Sequence, residues 1–567
     1  MSTNMDRRGF IKGSLVLGAA GTVAALGTSL AGCAAAPNGA EQHAGGNGGF
    51  SYPAGTTASD FEQSSAIAEP ITEFADEKTY DIVVVGAGTS GLPAVLTALE
   101  EGATVACLQK ESTPISQGNG SSGVILDETT DLGLLRWIQG YREACSYRVN
   151  LDLVRFFAEH SGETAMWMAR MGKEAGYPPY ESKLTRTETA DGSHVTTMRN
   201  AFGVKPENNG NLVKALAEHA ASKGAEFFYR TPGVQLVKDG ERVTAVIGDG
   251  EEGYIKFNAT KAVILATGDY QNNDSMLSKY APDLVRFTKK QMNKTGDGML
   301  MAMGVGATMT PVGHSKQMHD MDAAPMAMTG IPFLAVNEEG ERFMNEEIPM
   351  HYWDETLRFQ NAEDPGKFCR IFDNAYFETA KAWGYSPSSV ELMENYIPGA
   401  VENPQGVVKD LIDTHRCDTL DELADELGIP ADALKKTVER YNQLCEAGID
   451  EDFGKQSKYL VPIAEPPFWG IHQWIRLTAM GGGIRVNENY QVVDEGGAPI
   501  PGLYSVGFNA GDICGDVDWS LYLGGMSCGS CMTSGRYATI HALTGGLVPS
   551  KPSDDWEAFR AEFVDVA

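Results

Sequence analysis

The hydrophobic pattern changes period several times along the chain. From Ile82 to Val85 four β-branched residues run together, which predicts one strand of a parallel sheet, buried on both faces. The run breaks into Gly86, Gly88 and Gly91, spaced G-x-G-x-x-G, and the pattern then turns helical through Leu92, Val95, Leu96 and Leu99. Strand, glycine turn and helix in that order predict a dinucleotide site. Gly86 allows the tight turn, Gly88 lets the backbone approach a pyrophosphate, and Gly91 lets the helix pack on the strand. The helix, entered at Ser90, offers its free N–H groups and positive dipole end to the phosphates. Pro93 fits its first turn, where an N–H has no intrahelical partner.

Ala103–Leu108 predicts a second strand, ending at Gln109, Lys110 and Glu111. A carboxylate would hold the ribose of a bound dinucleotide here, and Gln109, followed by Lys110, takes its place. Residues 116–123 are a run of small residues suited to wrapping a flat cofactor, with Asn119, Ser121, Ser122 and Gly123 as candidate contacts. Apolar residues recur at helical spacing over 130–175 and 208–222, and alternate over 225–259 as in a short β-meander. Ala262–Ala266 predicts another buried strand, running into Thr267 and Gly268. Residues 310–475 then interrupt the pattern with amphipathic helices, for example 419–446, and aromatic turns such as 466–470.

Composition narrows the partners. With 42% hydrophobic residues, a chain of 567 can bury the cores of two or three domains. Lys+Arg is 45 against 76 for Asp+Glu, and the formal charge of −31 argues against nucleic acid and anionic membranes while leaving a basic redox partner open. The nine cysteines lack framework or iron–sulfur spacing. The C-x-x-C at Cys528–Cys531 is followed by Met532, where haem attachment needs histidine, and no metal site is expected. At the N-terminus, Arg7-Arg8 followed by Gly9-Phe10-Ile11-Lys12 resembles a twin-arginine export signal. Leu30-Ala31-Gly32-Cys33 resembles a lipobox, which makes Cys33 the lipid-modified residue, 1–33 an address, and 34–78 a flexible tether. The expected location is the outer face of the cytoplasmic membrane.

Several motifs, spread from 81 to 536, resemble those of the FAD-dependent fumarate reductase and 3-ketosteroid dehydrogenase flavoprotein family. Val263–Tyr270 (VILATGDY) resembles its ATGG strand end, and Thr295–Gly298, with Met301-Ala302 and Gly306-Ala307, its TGDG segment. Met480-Gly481-Gly482, Gly502–Gly507 and Leu523–Arg536 resemble its MGG, GLYAAG and LGG-x10-GR. The resemblance implies an α/β fold: a two-dinucleotide-fold, Rossmann-like FAD domain over 79–309 and 476–545, interrupted by an α+β capping domain over 310–475, with 546–567 as a tail. It also implies that Gly86, Gly88 and Gly91 hold the FAD pyrophosphate, that Thr267, Gly268 and Gly507 flank the cofactor, and that Asp297 lies on the ribityl side. Gly525, Met526 and Ser527 would open a helix whose positive end faces the flavin pyrimidine, where reduction adds negative charge. The family's Glu after GLYAAG is replaced by Phe508-Asn509.

The acid-reducing members' active-site residues are altered. The family's RF-x-NE is present at Arg342–Glu346, but its proton-donating Arg falls on Met350, with His351 and Tyr352 next. The Glu-x-x-Arg relay aligns with Met326 and Thr329, the His before MGG with Thr478, and the Arg before LGG with Tyr522, while His314 matches the other substrate histidine. A dicarboxylate buried without guanidinium partners would remain uncompensated. Tyr522-Leu-Gly-Gly resembles instead the Tyr-Pro-Gly that holds a ketone oxygen in the ketosteroid branch. The expectation is a reductase passing hydride to the C=C of a neutral, enone-like α,β-unsaturated acceptor. Tyr522 and the Gly525 or Met526 N–H would polarise the carbonyl, and His351 or Tyr352 would protonate carbon. Electrons would come from a separate cytochrome or quinol-linked donor. A ketosteroid-type dehydrogenase, a urocanate- or cinnamate-like aryl-acrylate reductase with an arginine elsewhere, and a non-catalytic flavin-binding electron-transfer protein stay open.

Overall fold

The computed structural model describes residues 51–118, 120–203, 208–311, 314–318, 321–323, 325–400, 413–515, 522–553 and 555–564. The expected export signal, the lipobox and Asn119 lie outside them.

Residues 52–78, expected to be a tether, are folded onto the domain. A capping box between Thr57 and Asp60 starts a short helix, α1 (Ala58–Glu62). Beyond it, Ser64 Oγ and the Ser65 N–H donate to Asp297, and the Ile67 N–H donates to Val234 O at 2.8 Å. Small polar residues here satisfy specific acceptors rather than solvating a linker. The chain then enters β1 (Asp76–Val85), which carries the predicted apolar run, and after the glycine turn forms α2 (Gly91–Glu100). β2 (Val105–Gln109) lies parallel to β1, with Val83 opposite Ala106.

Ser121, Ser122 and Gly123 fall in a strand, β3 (Ser121–Val124), rather than in a loop. α3 (Asp131–Ala144) and α4 (Leu151–Glu174) follow as the periodicity predicts. β4 (Glu181–Glu188) and β5 (His194–Ala201) then complete a small antiparallel sheet with β3. α5 (Asn209–Ser222) leads to β6 (Glu226–Tyr229), which pairs parallel with β2. Only the rest of the alternating stretch is a meander: β7 (Gly233–Asp239), β8 (Arg242–Gly250) and β9 (Gly253–Leu265). β9 is long because it serves twice, its first half pairing with β8 and its whole length running parallel to β1. α6 (Asp297–Gly304) starts at the TGDG segment.

The inserted region opens with β10 (Lys316–Gln317). Its own sheet has the order β11 (Met321–Ala323), β15 (Phe468–Ile475), β13 (Lys367–Phe372), β12 (Leu334–Val336), with β14 (Thr414–Cys417) also on β15. The amphipathic stretch 419–446 is two helices, α7 (Leu420–Leu427) and α8 (Ala431–Ala447), because Gly428 takes φ +66° and Pro430 follows it. Their apolar faces cover one side of the sheet through Leu423, Leu427, Leu434 and Val438. The region thus has an α+β core of its own.

The chain returns through β16 (Ala479–Met480), paired antiparallel with β10. β17 (Gln491–Val493) and β18 (Pro499–Ser505) complete the large sheet, β18 lying parallel to β9. α9 (Met526–Thr544) packs on α2, where a Cβ on Gly535 would lie 2.1 Å from Ser90 O. The expected tail holds α10 (Trp556–Phe563), whose Trp556 and Phe559 are buried against Ile125, Met166 and Met198. Among the described residues no helix is long and apolar enough to cross a membrane.

Candidate active site

The glycine cradle stands where β1 ends. Gly86 has φ +109°, and a Cβ on it would lie 2.4 Å from Ala266 O; on Gly91 a Cβ would lie 1.8 Å from Gly86 O. At Gly88 a Cβ would reach within 3.2 Å of Ile115 O, on the wall of a cleft of about 220 Å³. Gly86, Gly88, Ser90, Gln109, Lys110, Thr267, Gly268, Asp297 and Ser527 all line that cleft. Gly507 lies directly behind it: at φ +61°, a Cβ there would lie 2.6 Å from Ser90 Oγ. Bare backbone beside a helix N-terminus is what a pyrophosphate requires, so the cradle fits FAD.

The polar side chains of the cleft mostly brace the motifs against one another. Gln109 Oε1 accepts the Ala87 N–H at 3.0 Å and its Nε2 donates to Thr113 O at 3.1 Å, so it holds the glycine turn from the position expected to hold ribose. Lys110 Nζ spans to Asp297 Oδ2 at 3.0 Å and Thr295 Oγ1 at 2.9 Å. Asp297 is thereby enclosed by Lys110, Thr295, Ser64 and Ser65, and supports the cleft from beneath. Thr267 Oγ1 donates to Asn509 Oδ1 at 2.8 Å and receives the Gly298 N–H at 3.2 Å, which joins the ATG, TGDG and GLYSVG motifs at one point. Asn509 is fully buried and was invisible in the sequence as anything but a departure from the family's Glu.

At the far end of the cleft, Gly525 takes φ +84° as the N-cap of α9. The Met526 N–H, one of the two expected oxyanion donors, is already donated to Leu523 O at 2.9 Å; Ser527 and Cys528, one and two residues on, line the cleft. Burial pushes the Cys528 thiol up, and that of Cys531 to about 12, which keeps both protonated and unreactive as nucleophiles. Sequence reading missed Lys294, the residue before TGDG. Its ammonium would lie 3.0 Å from a Cβ on Gly268 and makes no hydrogen bond among the described residues. Behind it, burial raises the Asp269 carboxyl while the Lys294 charge pulls it down.

Other expected contacts are corrected. Gly123 is a packing glycine, since a Cβ there would lie 2.2 Å from Ser161 O of α4. Ser121 Oγ accepts from Asn200 Nδ2 at 3.3 Å. Ser122 is buried beneath α9, where a Cβ on Gly529 would lie 2.3 Å from Ser122 O. None of the three lines the cleft. Tyr522 sits elsewhere: its hydroxyl donates to Trp137 O at 3.0 Å and its ring packs edge-on against Trp137 and Tyr141. Tyr352 is half-buried in the turn Met350–Tyr352 and does not line the cleft, and the His351 side chain lies outside the description.

His314 is stacked on Tyr280 and buried, which depresses its pKa to about 4. Nε2 sits 3.0 Å from Thr310 O and must carry the proton; Nδ1 then accepts from the Tyr270 hydroxyl at 2.6 Å. A neutral imidazole with both nitrogens engaged has no proton to give, so His314 positions the MGG loop, where a Cβ on Gly482 would overlap its ring at 2.0 Å. With Ser315, Gly481, Gly482 and Arg148 it lines a second cavity of about 380 Å³. Arg148 is a guanidinium that sequence reading did not place. The RF-x-NE motif is internal to the inserted region: Arg342 pairs with Glu346 at 2.9 Å and Asp450 at 2.8 Å.

A family model described as an FAD binding domain matches residues 81–528. Vinyl phenol reductase of Lactiplantibacillus plantarum is 27% identical, over 82% of this chain and 97% of its own. A probable fumarate reductase of Shewanella frigidimarina is 27% identical, over 83% of this chain and 76% of its own. In fold, the chain is similar to the open conformation of a flavocytochrome c3 fumarate reductase, with a TM-score of 0.62 at 23% identity over 83% of this chain and 79% of that one. With its glycine cradle, its bracing network and a match over most of its length, the chain belongs to the FAD-binding-domain family and is an FAD-dependent oxidoreductase.

Proposed function

We propose that this chain is a reductase acting on the C=C of a neutral, conjugated acceptor, an enone-like compound in the first instance. The observation that carries the reading is the loss of the basic side chains that the resemblance places around an acid acceptor: Met350, Thr478 and Tyr522 stand where it puts Arg, His and Arg, and Tyr522 is spent on Trp137 O. A dicarboxylate would lack the paired guanidinium groups that its desolvation calls for. A neutral alkene needs only a dry surface and one centre of positive potential. The relative named vinyl phenol reductase agrees with an uncharged acceptor.

FAD, when bound, would supply hydride chemistry to the alkene. The residues contribute position and field. Gly86, Gly88 and Gly91 admit the pyrophosphate, Thr267 and Asn509 fix the strand ends, and the start of α9 at Ser527 and Cys528 turns free N–H groups toward developing negative charge. Lys294 adds a full positive charge to the same end. The ribbon β10–β16, with Gln317 and Ala479 on the cleft wall, joins the cap to the cofactor domain and sets how far water is excluded. The electron donor in this reading is a separate cytochrome or quinol-linked protein, met by an exported chain held through lipid at Cys33.

Arg148 favours a second reading. It faces the cavity beside His314 and Gly482, where one carboxylate of an aryl-acrylate would find a guanidinium. Anaerobic oxidation of reduced viologen by the FAD-loaded protein separates the two, using fumarate, urocanate, a cinnamate, a vinyl phenol and a 4-en-3-one steroid. Turnover of the neutral compounds that survives Arg148→Met supports the first reading. Turnover confined to carboxylates and lost in Arg148→Met replaces it with the second. FAD binding without turnover of any of them leaves an electron-transfer or ligand-binding protein.

A further inference from the structure

Within the inserted region, three side chains converge. Asp413 precedes β14, His415 lies in it, and His472 lies in the neighbouring β15. One ligand atom from each falls within 4.8 Å of the other two. His415 Nε2 is 3.1 Å from Asp413 Oδ1 but is not aligned as a hydrogen bond, so this nitrogen of a buried histidine is left without one. His472 Nδ1 is in close contact with the same carboxylate oxygen.

The far nitrogens are supported as ligand histidines require. His472 Nε2 meets Leu427 O at 3.0 Å, and His415 Nδ1 meets Glu426 Oε2 at 3.3 Å, both on α7. An imidazole that donates its outer N–H to a carbonyl or carboxylate presents the other nitrogen as a fixed, basic lone pair; at His472 that nitrogen here donates a proton to Asp413, which the ion would displace. In a tetrahedral site with metal–ligand bonds of about 2.0–2.2 Å, donor atoms stand roughly 3.3–3.6 Å apart, near the separation of His415 and Asp413, whereas His472 Nδ1 and Asp413 Oδ1 are closer and would move apart on binding. His415 is buried, while the Asp413 and His472 side chains are 28% and 32% exposed, which leaves an entry path and a fourth position for water.

We propose that Asp413, His415 and His472 bind one divalent d-block cation, Zn²⁺ in the first instance, through two imidazole nitrogens and a carboxylate oxygen. Two nitrogen donors select against Mg²⁺ and Ca²⁺, which take oxygen. The ion would join β14, β15 and, through the outer nitrogens, α7, so its role is to staple the cap and not to touch the acceptor. The proposal is independent of which acceptor is reduced.

The FAD-loaded full chain, stripped with EDTA and desalted, is titrated with ZnCl₂ against a chromophoric chelator, with MgCl₂ as control. One equivalent of Zn²⁺ should bind and raise the melting temperature, and Mg²⁺ should do neither. His472→Gln should weaken binding by about 100-fold, and the outer-nitrogen variant Glu426→Gln, at an exposed position that cannot endanger folding, by about 10-fold. His541→Gln, in the other domain, should leave binding unchanged. Binding undiminished in both His472→Gln and Glu426→Gln would overturn the assignment. So would the absence of a stoichiometric equivalent in the wild type, which would leave the cluster an Asp–His charge pair only.

Discussion

Lys316 is a buried cation held among three carboxylates where the inserted region begins. Its Nζ stands 2.6 Å from Glu355 Oε1, 2.9 Å from Asp354 Oδ2 and 3.5 Å from Asp283 Oδ2, with the residue 7% exposed. Burial disfavours the ammonium, but Asp354 and Glu355 outweigh it and the pKa is raised. That contribution is complete below the usual lysine value and is lost only as pH rises through the raised one, so the clamp is intact at neutral pH. Lys316→Met keeps the shape and removes the charge. Glu355 and Asp283 retain Arg358, at 2.9 and 3.2 Å, whereas Asp354, 2% exposed, loses its ion pair with Lys316. Breaking one side of a buried pair costs about 3–5 kcal/mol, and with two of the three carboxylates still served the low end, about 3 kcal/mol, is expected. Urea unfolding of the FAD-loaded protein should show that loss. The double variant Lys316→Met/Asp354→Leu should recover most of it, because removing both charges is close to neutral. FAD content should hold while KM rises, since the cap is loosened and the cradle is not. A single-variant loss under about 1 kcal/mol, typical of exposed pairs, or a double variant worse than the single, would refute the clamp.

Three further outcomes follow from the site. Gly91→Ala places a methyl carbon 1.8 Å from Gly86 O, so the folded protein, checked by circular dichroism, should lose FAD affinity by at least about tenfold in a flavin-to-protein titration. Lys294→Met removes a positive charge from the cleft; at an effective dielectric of about 20 and a separation of about 7 Å this is roughly 2 kcal/mol, and the bound-FAD potential, measured by dye equilibration, should fall by about 50 mV. His314 is held neutral, with its pKa lowered to about 4, so the unfolded chain binds the extra proton between that value and about 6.5 and stability should rise with pH across the window by up to about 3 kcal/mol. Melting curves of His314→Gln should lose that slope.

The cofactor fold was legible because its constraints are local. The apolar run at Ile82–Val85 and the glycines after it specify one strand, one turn and one helix within twenty residues, and the structure has them. The strand 121–124 was not legible, since its Ser-Ser-Gly composition looks like a loop and it is small only so that α4 and α9 can press against it. The bracing bonds were not legible: Gln109 accepts the Ala87 N–H, Asp297 the Lys110 ammonium, and Tyr522 donates to Trp137 O, and no spacing signal marks any of these pairs. Lys294 and Arg148 escaped because a lone basic residue outside a motif carries no periodic or spacing signal. The Asp413, His415 and His472 cluster escaped for the same reason, its members being brought together by strand pairing across more than fifty residues.

The seating of Gly535 against Ser90 has a bearing on how the protein is made. The turn that receives pyrophosphate and the helix that closes over it are separated by the whole stretch from Gly91 to Met526. Until β18 and α9 are made, the first half of the cofactor fold is an open sheet, lacking β18 beside β9 and α9 over α2, while the region between them can complete its own core. The cradle is therefore whole only when both distant segments are present, and a product truncated before α9 has half of it, with nothing to hold the cofactor in place.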